Sequence, residues 1–317
     1  MAGFTTNNTD HLIRSNLWTS DLKEVLLANL MGMKHVRMLT DFPDGDTFNI
    51  PSIGQAEAYD YVEGQAIRYN AMDTGNFTFT ITDYKASGTF ITNKMKQDSY
   101  VMNELVASFV PKQERAIMEQ FESKLLGLGP NGQTAGNTNT INGAYHRFCG
   151  SGTNQVITIN DFQKAKYALQ KANVPMTNLI AIVDPSVEVT LATQTNLVNL
   201  SNNPRWEGVV RDGLVTGMKF VNNIMGFDVY VSHFLTSGLS ETVNSTSITN
   251  GVANLFFSAD ASVTPFVGAI RQPVKVDSEY NKDKQRDEYV TTMRYGLKLF
   301  RPENMVCVLT DNSRVYS

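Results

Sequence analysis

His146 and Cys149 stand three residues apart, and such a pair could be half of a zinc site or a thiol beside its base. Either chemistry needs further partners. The other histidines, His11, His35 and His233, are scattered, and the only other cysteine is Cys307, so no second pair has ligand spacing. A satisfied or exposed histidine near a free cysteine is the simpler account. Glu57, Asp60 and Glu63 crowd three carboxylates into one short stretch, but the glycine and asparagine pattern of a calcium loop is missing. A solvated or partner-facing acidic edge fits them better. Gly127, Gly129 and Gly132 match the dinucleotide pattern G-x-G-x-x-G by letter. They follow a helix instead of joining a strand to one, and Pro130 lies among them, so the amide cradle for a phosphate is lacking. The reading is a helix-terminating loop. Walker, nucleophile-elbow and kinase signatures are absent from the sequence. No catalytic residue, cofactor site or metal site is nominated.

The element that must organise this chain is the stretch from Asp98 to Leu128. Val101, Leu105, Phe109, Ile117, Phe121, Leu125 and Leu128 recur at spacings of four and three on either side of a break, with Glu104, Lys112, Arg115, Glu119 and Glu122 between them. A helix of that length spans about 46 Å at 1.5 Å per residue. Pro111 falls in its middle, removes the bond to the Ala107 carbonyl and should kink the rod there.

Length and composition bound the rest. The 317 residues are 42% apolar, enough for a substantial core, and the formal charge of −4 includes no basic block that would grip nucleic acid. Two cysteines cannot make a disulfide framework, and no segment approaches the roughly 20 apolar residues that span a bilayer. The reading is a soluble chain, starting at its own methionine, with no membrane partner.

Residues 1 to 15 are a polar arm, followed by a short helix with Leu22, Val25, Leu26 and Leu30 on one face. Thr47 to Ile53 leads out as a strand, with Pro51 suited to an edge, and Phe77 to Thr82 returns with strict apolar–threonine alternation. Between them lies a charged stretch bearing Tyr59, Tyr61 and Tyr69, a composition suited to touching another surface. After the long helix, 127 to 152 reads as a polar loop. Asn160 and Gln163 read as the capping pair of a helix with Phe162, Ala165, Leu169 and Ala172 inward. Leu179 to Val183 is a strand buried on both faces, and Asp184 and Pro185 open another helix. Phe227 to Ser232 is a strand, 236 to 250 a polar loop, and Asn254 to Ser258 a strand. Val274 to Tyr280 and Glu288 to Phe300 form a long antiparallel hairpin, Pro302 ends it, and Met305 to Leu309 is a last apolar strand.

That order of parts, with Phe77 to Asn93 running into the long helix, Gly226 to Ser232 as a strand, and Tyr295 to Glu303 closing the hairpin, resembles the major capsid proteins of tailed bacteriophages, the Hong Kong ninety-seven phage fold. The resemblance implies an α+β subunit. Residues 1–35 would be an N-terminal arm and 36–92 an extended β-hairpin loop with its strands. Residues 93–154 with 268–302 would form a peripheral domain carrying the kinked spine helix at about 98–128 and the hairpin at 274–300. Residues 155–267 with 303–317 would form an α/β axial domain. The implied function is a non-enzymatic icosahedral head shell, built from hexamers and pentamers in the host cytoplasm and enclosing double-stranded DNA contacted non-specifically. A portal, a separately encoded scaffolding protein and a decoration protein are further implied partners. A separate scaffold, or a processed chain, is expected because the arm helix starts near Thr19 and leaves no room for an internal scaffold segment. The 55–76 stretch holds no lysine, so a loop crosslink is not expected. Two alternatives remain at this level: an encapsulin-type compartment, and an enzyme using the α/β block from 155 to 267.

A flat body with protruding elements must satisfy them on neighbours. Glu57, Asp60 and Glu63 are expected to face Lys112 and Arg115 of a neighbouring long helix. Leu22, Leu26 and Leu30 are expected to bury the arm helix on a neighbour.

Overall fold

The computed structural model describes residues 30, 32–39, 47–53, 58–66, 74–98, 102–193 and 224–313. Leu22, Leu26 and Glu57 lie outside the described residues; Leu30 is half-buried. Two sheets carry the fold. The first has the order β1-β12-β13-β4 and consists of β1 (Arg37–Leu39), β12 (Phe266–Asn281), β13 (Arg286–Leu299) and β4 (Asp83–Thr92). The β12–β13 pair is the expected long hairpin, in register from Phe266↔Leu299 to Asn281↔Arg286. Its register shifts between Ile270 and Lys275, the stretch that contains Pro273, because proline cannot donate to the ladder. β4 pairs along β13 without a shift, from Asp83↔Tyr295 to Thr92↔Arg286.

β2 (Thr47–Ile53) and β3 (Thr74–Thr80) pair with each other as a separate two-stranded ribbon, Thr47 opposite Thr80. The return strand expected at 77–82 therefore ends at Thr80, and the chain starts again as β4 in the other sheet. The ribbon is fixed at its base. Phe79 is fully buried, Phe77 meets Phe300 edge-on with ring centres 4.7 Å apart, and the Lys298 ammonium donates to the Thr78 carbonyl at 2.7 Å. Gly296 permits this approach: a Cβ there would lie 3.1 Å from the Phe79 ring and 3.0 Å from the Ile81 Cα.

After α1 (Asn93–Asp98), the long helix α2 is Met102–Gly132, displaced four residues toward the C-terminus from the expected 98–128. It runs through Pro111 and Pro130. It also takes in Gly127, Gly129 and Gly132, which were expected to open a loop. Packing decides this. A Cβ on Gly129 would come within 2.4 Å of Leu255 and one on Gly132 within 2.3 Å of Leu299, so the bare glycines let the last turns lie on the strands, and close contact overrides weak helix propensity. Further along, Ile117, Phe121 and Leu125 are buried as expected and Leu128 is half-buried. Phe121 meets Tyr295 at 4.9 Å, Thr291 donates to the Gln113 side chain at 3.0 Å, and Lys124 pairs with Asp83. The helix therefore lies across β4 and β13.

The second sheet has the order β7-β14-β11-β8-β9, with β10 on β11. The small ribbon of β5 (Thr140–Ile141) and β6 (Ala144–Tyr145) leads into β7 (Arg147–Cys149). β8 (Leu179–Val183) is buried along its whole length. Its alternate residues Leu179, Ala181 and Val183 pack with α3 (Ile159–Lys171) and α4 (Pro185–Thr193), while Ile180 and Ile182 pack toward α2. Burying each of its leucine, isoleucine and valine side chains contributes about 1.5–3 kcal/mol. β9 (Phe227–Val231) and β14 (Met305–Asp311) complete the sheet as expected, and Asp184 caps α4 through the Ser186 amide at 3.0 Å.

Two expectations fail locally. The cap of α3 is Thr158 with Asp161, not Asn160 with Gln163: one Asp161 oxygen accepts from the Thr158 amide at 2.9 Å and the Thr158 hydroxyl at 3.0 Å. The polar stretch 236–250 is not a loop throughout. β10 (Leu239–Val243) and β11 (Thr246–Ser258) make a hairpin whose two-residue turn, Asn244 and Ser245, has φ of 49° and 63°. That geometry suits the strands' twist, and Asn tolerates it.

Candidate assembly interface

Of the pair singled out for chemistry, His146 lies in the interior and Cys149 is half-buried on the wall of a cleft. His146 is fully buried, with Nδ1 3.2 Å from the Ala144 carbonyl. Burial lowers its pKa, against the opposing backbone bonds of Ala144 and Glu303, so the ring is neutral at pH 7. The Cys149 thiol is raised by burial and then by the Glu241 charge, and Cys307 is pushed up to about 12 by burial. Neither is a thiolate at neutral pH. Among the described residues no three His, Cys, Asp or Glu side chains gather as metal ligands. A cleft of about 710 Å³ beside α3 has Tyr145, Phe148, Lys164 and Tyr167 on its walls, with no carboxylate or histidine lining it.

What the sequence did not announce is Arg147. It is 1% exposed and holds Glu241 with two bonds, Nε to Oε2 at 3.1 Å and Nη2 to Oε1 at 2.5 Å. Its Nη1 donates to the Pro130 carbonyl at 3.1 Å, and the Gly136 amide donates to Glu241 at 2.6 Å. Gln133 adds bonds to the His146 and Met305 carbonyls, both at 3.3 Å. The end of α2, β7, β10 and β14 are thus tied at one buried point. Burial raises the Glu241 carboxyl, but the Arg147 bonds, the Gly136 amide and the Arg147 charge together hold it below the usual glutamate value. Ninety-four residues separate the pair, and only a polar residue on each of two strands marked them in the sequence.

The surface carries the other expected residues. Asp60 and Glu63 are exposed on the 58–66 stretch together with Tyr59, Tyr61 and Val62. Lys112 is exposed on α2. Arg115 is half-buried and donates to Glu119 at 2.9 Å, so part of its charge is answered within its own chain. Phe90 and Met95, on β4 and α1, are exposed at the rim of a small apolar cavity against α2.

With these surfaces in place, comparison with known proteins decides the family. The sequence matches the family described as phage capsid protein over residues 76–308, well over half of its length. The chain belongs to this family. No curated protein sequence matches it. Solved structures share the fold of this capsid chain along almost all of both chains. A capsid chain of the cyanophage P-SCSP1u is 14% identical, with a TM-score of 0.71 and coverage of 96% of each. A chain from Mycobacterium phage Che8 is 14% identical at a TM-score of 0.68, covering 96% of this chain and 98% of its own. The capsid chain of an empty GTA particle is 13% identical at 0.64, covering 97% and 98%. The turn at 58–66 and the mouth of the cavity beside Phe90 are exposed surfaces of this phage capsid protein. The buried Arg147 cluster fixes the end of α2 against β7, β10 and β14 of the second sheet.

Proposed function

We propose that this capsid protein builds the icosahedral head of a tailed phage by closing into hexamers and pentamers around double-stranded DNA. The observation that supports the reading most directly is the β2–β3 ribbon, anchored at Phe79 and ending in a turn whose aromatic and acidic residues face solvent. A monomer gains nothing from that turn; a neighbour would cover it. Glu57, Asp60 and Glu63 would meet Lys112 and the spare donors of Arg115 on the next subunit's α2, and Leu22, Leu26 and Leu30 would bury the arm on a neighbour. Residues 36–92 act here as the extended loop, 93–154 with 268–302 as the peripheral domain bent at Pro111, and 155–267 with 303–317 as the axial domain. A separate scaffolding protein and a portal complete assembly in the host cytoplasm, and a decoration protein would find the finished outer face. Its role is structural rather than enzymatic, which its family membership supports. Its similarity to phage capsids does not favour a cargo compartment.

The test is electron microscopy of particles formed on expressing the chain, alone and with its neighbouring genes. Closed shells or rings of six are expected, with DNA inside when packaging is complete. A chain that stays monomeric under every condition overturns the reading. Replacing all three acids with lysine should block or misdirect assembly while leaving the subunit folded, and normal shells from that variant would remove the acidic contact.

A further inference from the structure

The 58–66 turn presents an apolar knob between two acids. Tyr61 is 71% exposed and Val62 54%, Asp60 and Glu63 flank them, and Gly64 turns the chain at φ +86°. The first sheet presents the converse. Phe90, Ile91, Met95, Phe109, Val110 and Tyr289 line a cavity of about 180 Å³ where β4, α1 and α2 meet, with Phe90 54% and Met95 46% exposed at its mouth. A cavity of roughly 150 Å³ accepts a benzene ring, so this one has room for one aromatic side chain. Basic residues stand beside the lining residues. Lys94 and Lys96 flank Met95 in the chain, Lys112 is exposed three residues after Phe109 on α2, and the Arg286 guanidinium stacks 4.2 Å over Phe90. Asp287 pairs with Lys96 and Glu288 with Arg286, whereas Lys94 and Lys112 have no ion pair among the described residues.

We propose that this notch receives Tyr61, with Val62 beside it, from the turn of a second copy of the same chain, Lys94 and Lys112 facing the incoming Asp60 and Glu63. The inference rests on the shell reading and deepens it, since apolar insertion supplies the holding power that exposed charge pairs lack. Complementarity runs in both terms: an apolar centre meets an apolar cavity, and acids beside the one meet bases beside the other. Among the described residues of one subunit the knob is exposed and the notch is open, so neither fills the other. Knob and notch are different surfaces of one molecule, which makes the contact head-to-tail and able to close a ring.

Cysteines placed at the contact test it. Particles of the double variant Tyr61→Cys, Met95→Cys, oxidised and run on a non-reducing gel, should shift from monomer to a ladder of linked subunits. Either single variant should stay monomeric, as should Tyr61→Cys paired with Tyr167→Cys on α3. Assembled particles of the double variant without a ladder, or an equal ladder from the α3 control, overturn the contact. If the cysteine pair itself prevents assembly, the exchange Asp60→Lys, Glu63→Lys, Lys94→Glu, Lys112→Glu decides. Shells regained relative to Asp60→Lys, Glu63→Lys support the contact, and no recovery overturns it. A wild-type chain that never forms particles overturns the shell reading and this contact with it; wild-type shells with no ladder overturn the contact alone.

Discussion

Arg147 carries its charge into an interior where an unpaired ion is costly, and Glu241 is what makes that tolerable. Removing one partner of such a pair typically costs about 3–5 kcal/mol, because the survivor is left buried and unmatched. Glu241→Ala is therefore expected to lower subunit stability by that order in denaturant unfolding, and Glu241→Gln by less, since the amide oxygen still accepts. The pair also sets a pH dependence. The folded carboxyl titrates below its unfolded value, near 4.3, so the folded state holds fewer protons between the two values. Its stabilisation is complete above the unfolded pKa and is lost as the pH falls through the folded one. Melting temperatures taken from pH 7 to pH 3 should drop more steeply in the wild type than in Glu241→Gln. Nothing in the sequence could have paired these residues, because the β7 and β10 strands that bring them together are only three and five residues long. His146 and Cys149 were conspicuous by type, yet the structure buries the first and leaves the second half-buried, with no metal-ligand cluster among the described residues.

Glycine shows how elements depend on contacts that propensity does not encode. Gly129→Ala would gain about 1 kcal/mol of helix propensity in α2 while pressing on a Leu255 methyl, and overpacking costs about 1–3 kcal/mol, so the net change should be small. Gly150→Ala has no such offset. Its Cβ would lie 2.5 Å from the Gln155 carbonyl oxygen and 2.8 Å from that of Val156, which are backbone and cannot turn aside. Thermal unfolding of the two variants should separate them, with Gly150→Ala clearly the less stable. In the β10–β11 hairpin, Ser245→Gly should raise the melting temperature, because φ of 63° suits glycine and Asn-Gly is the favoured two-residue turn. The elements legible beforehand were those with one dominant signal: the apolar run of β8, the alternation of β13, the proline-opened α4. The end of α2 was hidden because three glycines argue for a loop until Leu255 and Leu299 are seen beneath them. β10 was hidden because Glu241 places a charged residue at the inward position between Leu239 and Val243.

At the scale of the molecule, the order of parts was readable because long elements leave long patterns, while the meeting of β4 with β13 across two hundred residues was not. The same scale governs assembly. Exposed ion pairs contribute at most about 1 kcal/mol each, so acids at the turn and lysines at the notch would steer subunits together and set register, with apolar burial supplying strength. Steering is screened by salt, the Debye length falling from about 10 Å at 0.1 M to 3 Å at 1 M, whereas an inserted tyrosine is not. Assembly followed by light scattering should therefore slow markedly as salt rises, while shells already formed keep their melting temperature. The variant Lys94→Gln, Lys112→Gln should assemble slowly at every salt concentration and lose most of that dependence. Tyr61→Ser should do the opposite, retaining the salt-dependent rate while its shells melt earlier. If both variants change rate and shell stability in parallel, charge and burial do not divide the work, and the contact is held some other way.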